Sequence, residues 1–317
     1  MRFNLTLILA AMLLAAGCKE KKAEQFHALP FPDVQLPTMI SGQQEALEYM
    51  AVYYWNGITD QNRSYPSDSV LVSGVRKDVF EQKFADWTSV MNHVSPAIWS
   101  KAVSNLYDRA YACELKDASS NVLDTFVYLF QKYYYDANSP MRNEDVYHDF
   151  VSRYASYEGL DEVLRGKYER EARMTAMNRV GTKAADFRFS DRRGKMTDLY
   201  DIKAEMTLLF FSNPGCNACM EIIKVLRDEP MIASKIAEGR LAVVNVYIDE
   251  DIQEWRSYMP VYPDEWYNGF DPDLVIRTDN LYNVRAIPSL YLLDAEKRVI
   301  LKDAPEDKVF SVIASTL

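Results

Sequence analysis

The chain has 317 residues, enough for two domains, and 48% of them are hydrophobic. Its formal net charge of −10, from 46 acidic against 36 basic residues, argues against nucleic acid as a partner and keeps the chain in solution. Four cysteines and three scattered histidines offer no second Cys or His pair at ligand spacing, so no metal is expected; no phosphate loop, dinucleotide fingerprint or sustained repeat is present either.

Arg2 precedes the apolar run Leu5 to Leu14, and Ala15-Ala16-Gly17-Cys18 follows. The run is too short to span a bilayer and reads as a signal peptide over residues 1–17. A cysteine directly after Ala-Ala-Gly resembles the lipobox of bacterial lipoproteins, with Ala15 where Leu is commoner. The resemblance implies that Cys18 is the lipid attachment residue and ties the protein to a membrane. An ordinary signal peptide with an incidental Cys18 is the alternative. Lys19 to Glu24 is charged, and Pro30, Pro32 and Pro37 follow, so residues 18–38 read as a tether. The absence of Asp after Cys18 points, by the Gram-negative sorting rule, to the outer membrane facing the periplasm. No later stretch is long enough for a membrane helix.

Residues 39–176 are rich in helical periodicity. Leu47, Met50, Ala51, Tyr54 and Trp55 fall at helical spacing with Ser41 as the cap. Val122, Leu123, Phe126, Val127, Phe130 and Tyr133 form a second stripe, and Val146, Phe150, Val151 and Tyr154 a third. The spacing predicts an all-helical bundle of about five or six helices, in which Val70 to Val75 is not assigned as a strand. Cys113 lies in a helical pattern and reads as a buried small hydrophobe, with a mixed-disulfide partner as the alternative. His93 and His148 have no ligand-spaced neighbours and read as ordinary residues. The turn Asn138-Ser139-Pro140 with Arg142, Asn143 and Glu144 reads as the start of a helix, or as a docking surface for a partner or the following domain. The tyrosines, 21 in all, read mainly as core and rim, with a binding face left open.

From residue 177 the pattern changes. The strand-like Leu208-Leu209-Phe210-Phe211 runs through Ser212-Asn213-Pro214-Gly215 into Cys216-Asn217-Ala218-Cys219 and the helical Met220 to Leu226. This order sets Cys216 at a helix start, where free N–H groups and the positive dipole end favour a thiolate. Cys219 is close enough to close a small disulfide ring. The pair is the sequence form of a dithiol redox site near a βαβ unit. Half a zinc site and a structural disulfide are the other readings. The first lacks further ligands, and so short a ring constrains little of the unfolded chain. Leu241 to Ile248 reads as a buried strand, ending at Asp249, and Pro288 opens the apolar strand Ser289 to Asp294. Between them, Asp251 to Asp273 is a longer connection whose Trp255, Tyr258, Tyr262, Trp266 and Tyr267 either line a groove or pack on the sheet, with Trp266 expected at the rim.

The strand, Cys-x-x-Cys, helix, strand and Ile287-Pro288-Ser289 strand resemble the thioredoxin superfamily. Gly181 to Phe189 with Asp191, Gly194 and Lys195 resembles the N-terminal extension of its envelope branch, the membrane-tethered thiol–disulfide oxidoreductases related to peroxiredoxins. Gln131 to Glu144 resembles an uncharacterised helical domain that precedes such modules in bacterial lipoproteins, for which no function follows. The resemblance implies a two-domain α+β and α/β chain, all-helical and then thioredoxin-fold over residues 177–317. It implies Cys216 as the attacking sulfur and Cys219 as the resolving one. Pro288 matches the cis-proline that packs on the disulfide, and Ile287 offers its backbone to an extended substrate. No cofactor beyond the Cys216–Cys219 disulfide is expected. The partners would be protein thiols and disulfides, a membrane thiol reductant, and the membrane itself through Cys18.

The chain departs from that family in three places. Gly215 stands where Trp is common, Asn217-Ala218 replaces Gly-Pro, and Phe210 occupies the place of the family's buried acid, for which Glu205 or Asp249 are the candidate substitutes, each more often a solvated turn residue. Two other function classes compete. One is a thiol peroxidase with Cys216 attacking peroxide and Ser212 beside it. The other is a redox-inert binding or scaffold lipoprotein whose helical domain carries the function.

Overall fold

A computed structural model describes residues 27–65 and 69–317. The expected signal peptide, Cys18 and the charged part of the tether lie outside the described residues. No helix among the described residues is long and apolar enough to cross a membrane.

The N-terminal half contains α1 (Gln43–Tyr53), α2 (Lys77–Met91), α3 (Pro96–Lys116), α4 (Val122–Phe130), α5 (Glu144–Tyr154) and α6 (Glu162–Thr175). Gly42, not Ser41, stands at the start of α1, and no side chain caps that end. The half is not wholly helical. Leu71–Val72 (β1) and Val75–Arg76 (β2) pair antiparallel around Ser73 and Gly74, whose φ values of 48° and 78° suit the tight turn of a two-residue hairpin. Leu71, Val72 and Val75 are buried by it, which repays the short ladder with apolar contact. Trp55 centres the core, with its ring 4.9 Å from Phe126 and 5.1 Å from Phe80. Directly after α4 the helix widens into one π-helical turn, Gln131–Tyr135, closed by the Asp136 N–H donating to the Gln131 carbonyl. The wider turn slips the apolar stripe by one residue. Tyr134, only 1% exposed, takes the inward place expected for Tyr133, which is half-buried.

The C-terminal half is a seven-stranded mixed sheet flanked by helices, the thioredoxin arrangement the resemblance implied. In chain order it runs β3 (Arg188–Ser190), β4 (Met196–Asp198), β5 (Met206–Phe211), α7 (Asn217–Asp228), α8 (Pro230–Ala237), β6 (Leu241–Tyr247), α9 (Ile252–Tyr258), β7 (Tyr267–Phe270), α10 (Val275–Thr278), β8 (Ser289–Asp294), β9 (Val299–Leu301) and α11 (Glu306–Thr316). The sheet order is β4-β3-β7-β6-β5-β8-β9, with β5 parallel to β6 and antiparallel to β8. β5 is buried on both faces. Met206, Leu208 and Phe210 join Cys219 and Leu226 of α7 and Val309 of α11, while Leu209 and Phe211 meet Tyr282 and Tyr291 on the other face. The connection from Asp251 to Asp273 carries α9 and β7, and Trp255, Tyr262 and Trp266 are buried in the core beside β6. Trp266 is therefore a core residue and not a rim residue, because α9 folds the segment back onto the sheet.

A buried set of charges joins the two halves. Glu144, at the start of α5, is 1% exposed and accepts from Arg285 Nε at 2.6 Å and Asn283 Nδ2 at 2.7 Å. Lys302, between β9 and α11, lies 3.1 Å from its other oxygen and donates to the carbonyls of Thr175 and Met177, each at 2.6 Å. Burial pushes the Glu144 carboxyl up, and Lys302 and Arg285 pull it back. Arg285 also pairs with Asp303 at 2.7 Å, and its guanidinium lies 4.4 Å from the Tyr135 ring centre.

Candidate active site

Cys216 and Cys219 form a disulfide, with Cα atoms 5.2 Å apart. The chain reaches it from β5 through Asn213-Pro214-Gly215, where Gly215 takes φ +72° and turns the backbone into α7. Cys216 is the N-cap residue of α7, and its sulfur accepts from the Cys219 N–H at 3.2 Å. A negative charge on that sulfur would face the positive end of the helix and one of its unpaired donors. Cys216 is half-buried, whereas Cys219, on the first turn, is 1% exposed. Only the first sulfur is open to a partner molecule.

The Ile287–Pro288 peptide bond is cis, and Pro288 leads into β8. Among the described residues the main-chain N–H and C=O groups of Ala286 and Ile287 make no hydrogen bond. The loop behind them is held firmly. Arg285 is fixed between Glu144 and Asp303, and Ser289 donates to Asp303 Oδ1 at 2.7 Å. These loop-fixing residues were not foreseen as part of the site. Their one sequence signal is the Arg142-Asn143-Glu144 run. It both caps and docks: Asn143 Oδ1 accepts from the N–H groups of Asp145 and Val146, and Arg142 donates to the carbonyls of Asp303 and Ala304 at 2.9 and 3.0 Å.

Phe210 is fully buried in the same apolar cluster as Cys219. Neither candidate acid replaces it. Glu205 precedes β5, at the strand end away from Cys216, and is exposed and bound to Arg240, which holds its carboxyl below the usual range. Asp249 accepts from Asn213 Nδ2 at 2.7 Å and is ion-paired with Arg277. The polar groups on this face are neutral. Ser212 donates to Asn245 at 2.5 Å, and Asn245 donates to Asn268 at 3.0 Å. The Ser212 proton is thus committed to the sheet instead of the attacking sulfur. Cys113 is buried in the helical half, away from the pair, and burial pushes its thiol up. No group of three or more Cys, His, Asp or Glu side chains among the described residues is placed to hold a metal ion.

Comparison with known proteins places this architecture. The family described as a domain of unknown function, DUF5106, matches residues 15–178. A crystal structure of a thioredoxin-like protein from Bacteroides caccae is 31% identical, with a TM-score of 0.76 over 92% of this chain and 100% of that one. The C-terminal domain of an uncharacterized protein from Bacteroides fragilis is 47% identical over 43% of this chain and 98% of its own, with a TM-score of 0.42. The thioredoxin domain of a thiol-disulfide oxidoreductase from Bacteroides vulgatus is 18% identical over 43% of this chain and 96% of its own, with a TM-score of 0.38. No curated protein matches the chain. With more than half of its length matched by that family and a thioredoxin-like relative aligned along nearly all of it, the chain belongs to the DUF5106 family, its helical half joined to a thioredoxin fold.

Proposed function

We propose that the protein is a thiol–disulfide oxidoreductase of the bacterial envelope, acting on protein disulfides through Cys216 and Cys219. The observation that carries this reading is the asymmetry of the pair: a half-buried sulfur at the N-cap of α7 and a buried one a turn later. In the reduced protein, the Cys216 thiolate attacks a substrate disulfide, forms a mixed disulfide and releases one substrate thiolate, which takes a proton. Cys219, as its thiolate, then attacks Cys216, closes the ring and releases the second substrate thiol. Two electrons pass to the substrate. Ile287 and Pro288 flank the partner chain. No further cofactor enters this scheme. A membrane thiol reductant would restore the dithiol, and lipid on Cys18 would hold the protein at the outer membrane.

The test is a trap. In cells, Cys219→Ser should accumulate disulfide-linked partners that dithiothreitol releases, and Cys216→Ser should accumulate none. Equal traces from both variants would refute the assignment and favour the scaffold reading. The reduction potential then sets direction: a value near or below about −250 mV marks a reductase, and one near about −120 mV marks an oxidant.

A further inference from the structure

Beside the disulfide opens a cavity of about 330 Å³. Ala218, from between the two cysteines, lies on its edge, and Ile222, Val225, Pro288 and Phe310 give it an apolar lining. Val225 is 37% exposed, so this lining is open to solvent. The remaining side comes from the other half of the molecule, from the turn that holds Ala137, Asn138 and Arg142.

We propose that the 136–142 turn of the helical domain is one wall of the substrate groove, and that the groove takes an extended polypeptide with an apolar residue next to its reacting cysteine and a basic residue beside that. This rests on the oxidoreductase reading. Three observations select such an occupant. The free main-chain groups of Ala286 and Ile287 offer hydrogen bonds to an added extended strand, the mode in which backbone gives affinity and pockets give specificity. The apolar lining beside them suits one large side chain. The charged residues at the cavity are Glu221, Glu306 and Arg142. Arg142 donates to the carbonyls of Ser139, Asp303 and Ala304 and keeps its charge, while the Glu221 and Glu306 side chains make no hydrogen bond or ion pair. Two unpartnered carboxylates against one guanidinium leave the mouth net negative and complementary to Lys or Arg.

The wall is not a loose loop. Ser139 donates to the Tyr133 carbonyl at 2.6 Å, Asn138 N–H donates to Asp136 Oδ1 at 2.8 Å, and Arg142 bolts the turn to the segment before α11. Asn138 itself is exposed, so a larger side chain there fills the groove without entering either core.

The test uses the reduced full chain and three disulfides: a symmetric peptide disulfide with Cys-Leu-Lys, its Cys-Leu-Glu counterpart, and neutral hydroxyethyl disulfide. Each reaction oxidises the protein dithiol and yields two substrate thiols, and second-order rate constants are read from thiol release. The wild type should prefer the Lys peptide over the Glu peptide at least fivefold. Asn138→Trp should lower the ratio of Lys-peptide to hydroxyethyl disulfide rates at least fivefold. The pair Glu221→Lys and Glu306→Lys should reverse the peptide preference. An unchanged ratio in Asn138→Trp overturns the wall, and equal use of the two peptides by the wild type overturns the charge reading. If the wild type reduces hydroxyethyl disulfide and neither peptide, the groove falls and the oxidoreductase reading stands. If it reduces none of the three, both fall.

Discussion

Replacing Glu144 by Gln tests whether the halves are held by charge. Around this side chain, four carboxylates (Glu144, Asp145, Asp149 and Asp303) face three cations (Lys302, Arg285 and Arg179). Glu144 and Lys302 are 1% and 2% exposed as side chains, so water screens neither. The amide keeps an acceptor for Asn283 and removes the charge, leaving buried Lys302 without its nearest carboxylate. Breaking a buried pair in this way costs about 3–5 kcal/mol. At about 2 °C per kcal/mol for a chain of this size, the melting temperature falls by roughly 6–10 °C. Lys302→Met alone should be comparably damaging, since it also strips the Thr175 and Met177 carbonyls of their donor. The double variant removes both members of the buried pair, while Asp145 and Asp149 keep Arg179 and Asp303 keeps Arg285. Urea unfolding of all four proteins, followed by circular dichroism, gives the coupling. The double variant should be more stable than the sum of the singles by at least about 1 kcal/mol. Additive losses, or a Glu144→Gln loss below about 1 kcal/mol, would refute the reasoning.

Burial chiefly holds the His148 imidazole below its ordinary 6.5, helped by the Arg179 charge. A depressed base binds its proton more readily unfolded, so its contribution is present above that ordinary value and lost as pH falls through the folded value. His148→Gln should therefore flatten the fall in unfolding midpoint between about pH 7.5 and 5, and an unchanged slope would count against it. A β-carbon on Gly74, at φ +78°, would meet Tyr65 Cβ at 2.7 Å and Leu29 Cδ1 at 2.9 Å. Gly74→Ala should cost about 1–3 kcal/mol by urea midpoint. Alkylation of Cys113 should be at least about tenfold slower in native buffer than in urea, as read by peptide mapping; equal rates would show an accessible thiol.

The surroundings of the Cys pair were legible because a strand, a Gly turn, the pair and a helix follow one another in sequence, and local order fixes local geometry. Leu208 to Leu226 needed no distant partner to be read correctly. The π-helical turn was not legible, since the periodicity through Phe130 points equally to Tyr133 until the widened turn selects Tyr134. Trp266 was misplaced for a related reason: an aromatic in a connection has no phase, and only α9 decides which way it faces. The charges that fix the cis-proline loop join residues as far as 141 positions apart, and a spacing rule has nothing to say about Glu144 and Arg285. For the acid that Phe210 lacks, Glu205 and Asp249 were the candidate substitutes, although a carboxylate at such a turn is more often solvated. Each of those carboxylates already has an arginine of its own.

The widened turn at Gln131–Tyr135 has a consequence for comparing this chain with others. Each residue advances an α-helix by about 100°, so one residue fewer here would wind α4 straight on and swing everything after it by that angle. Tyr135 would leave both the Tyr147 ring stacked 4.3 Å from it and the Arg285 guanidinium. In an alignment, then, a one-residue gap in this segment matters more than any single substitution around it. The segment's length marks whether another chain presents its helical half to its thioredoxin-fold half in the same phase.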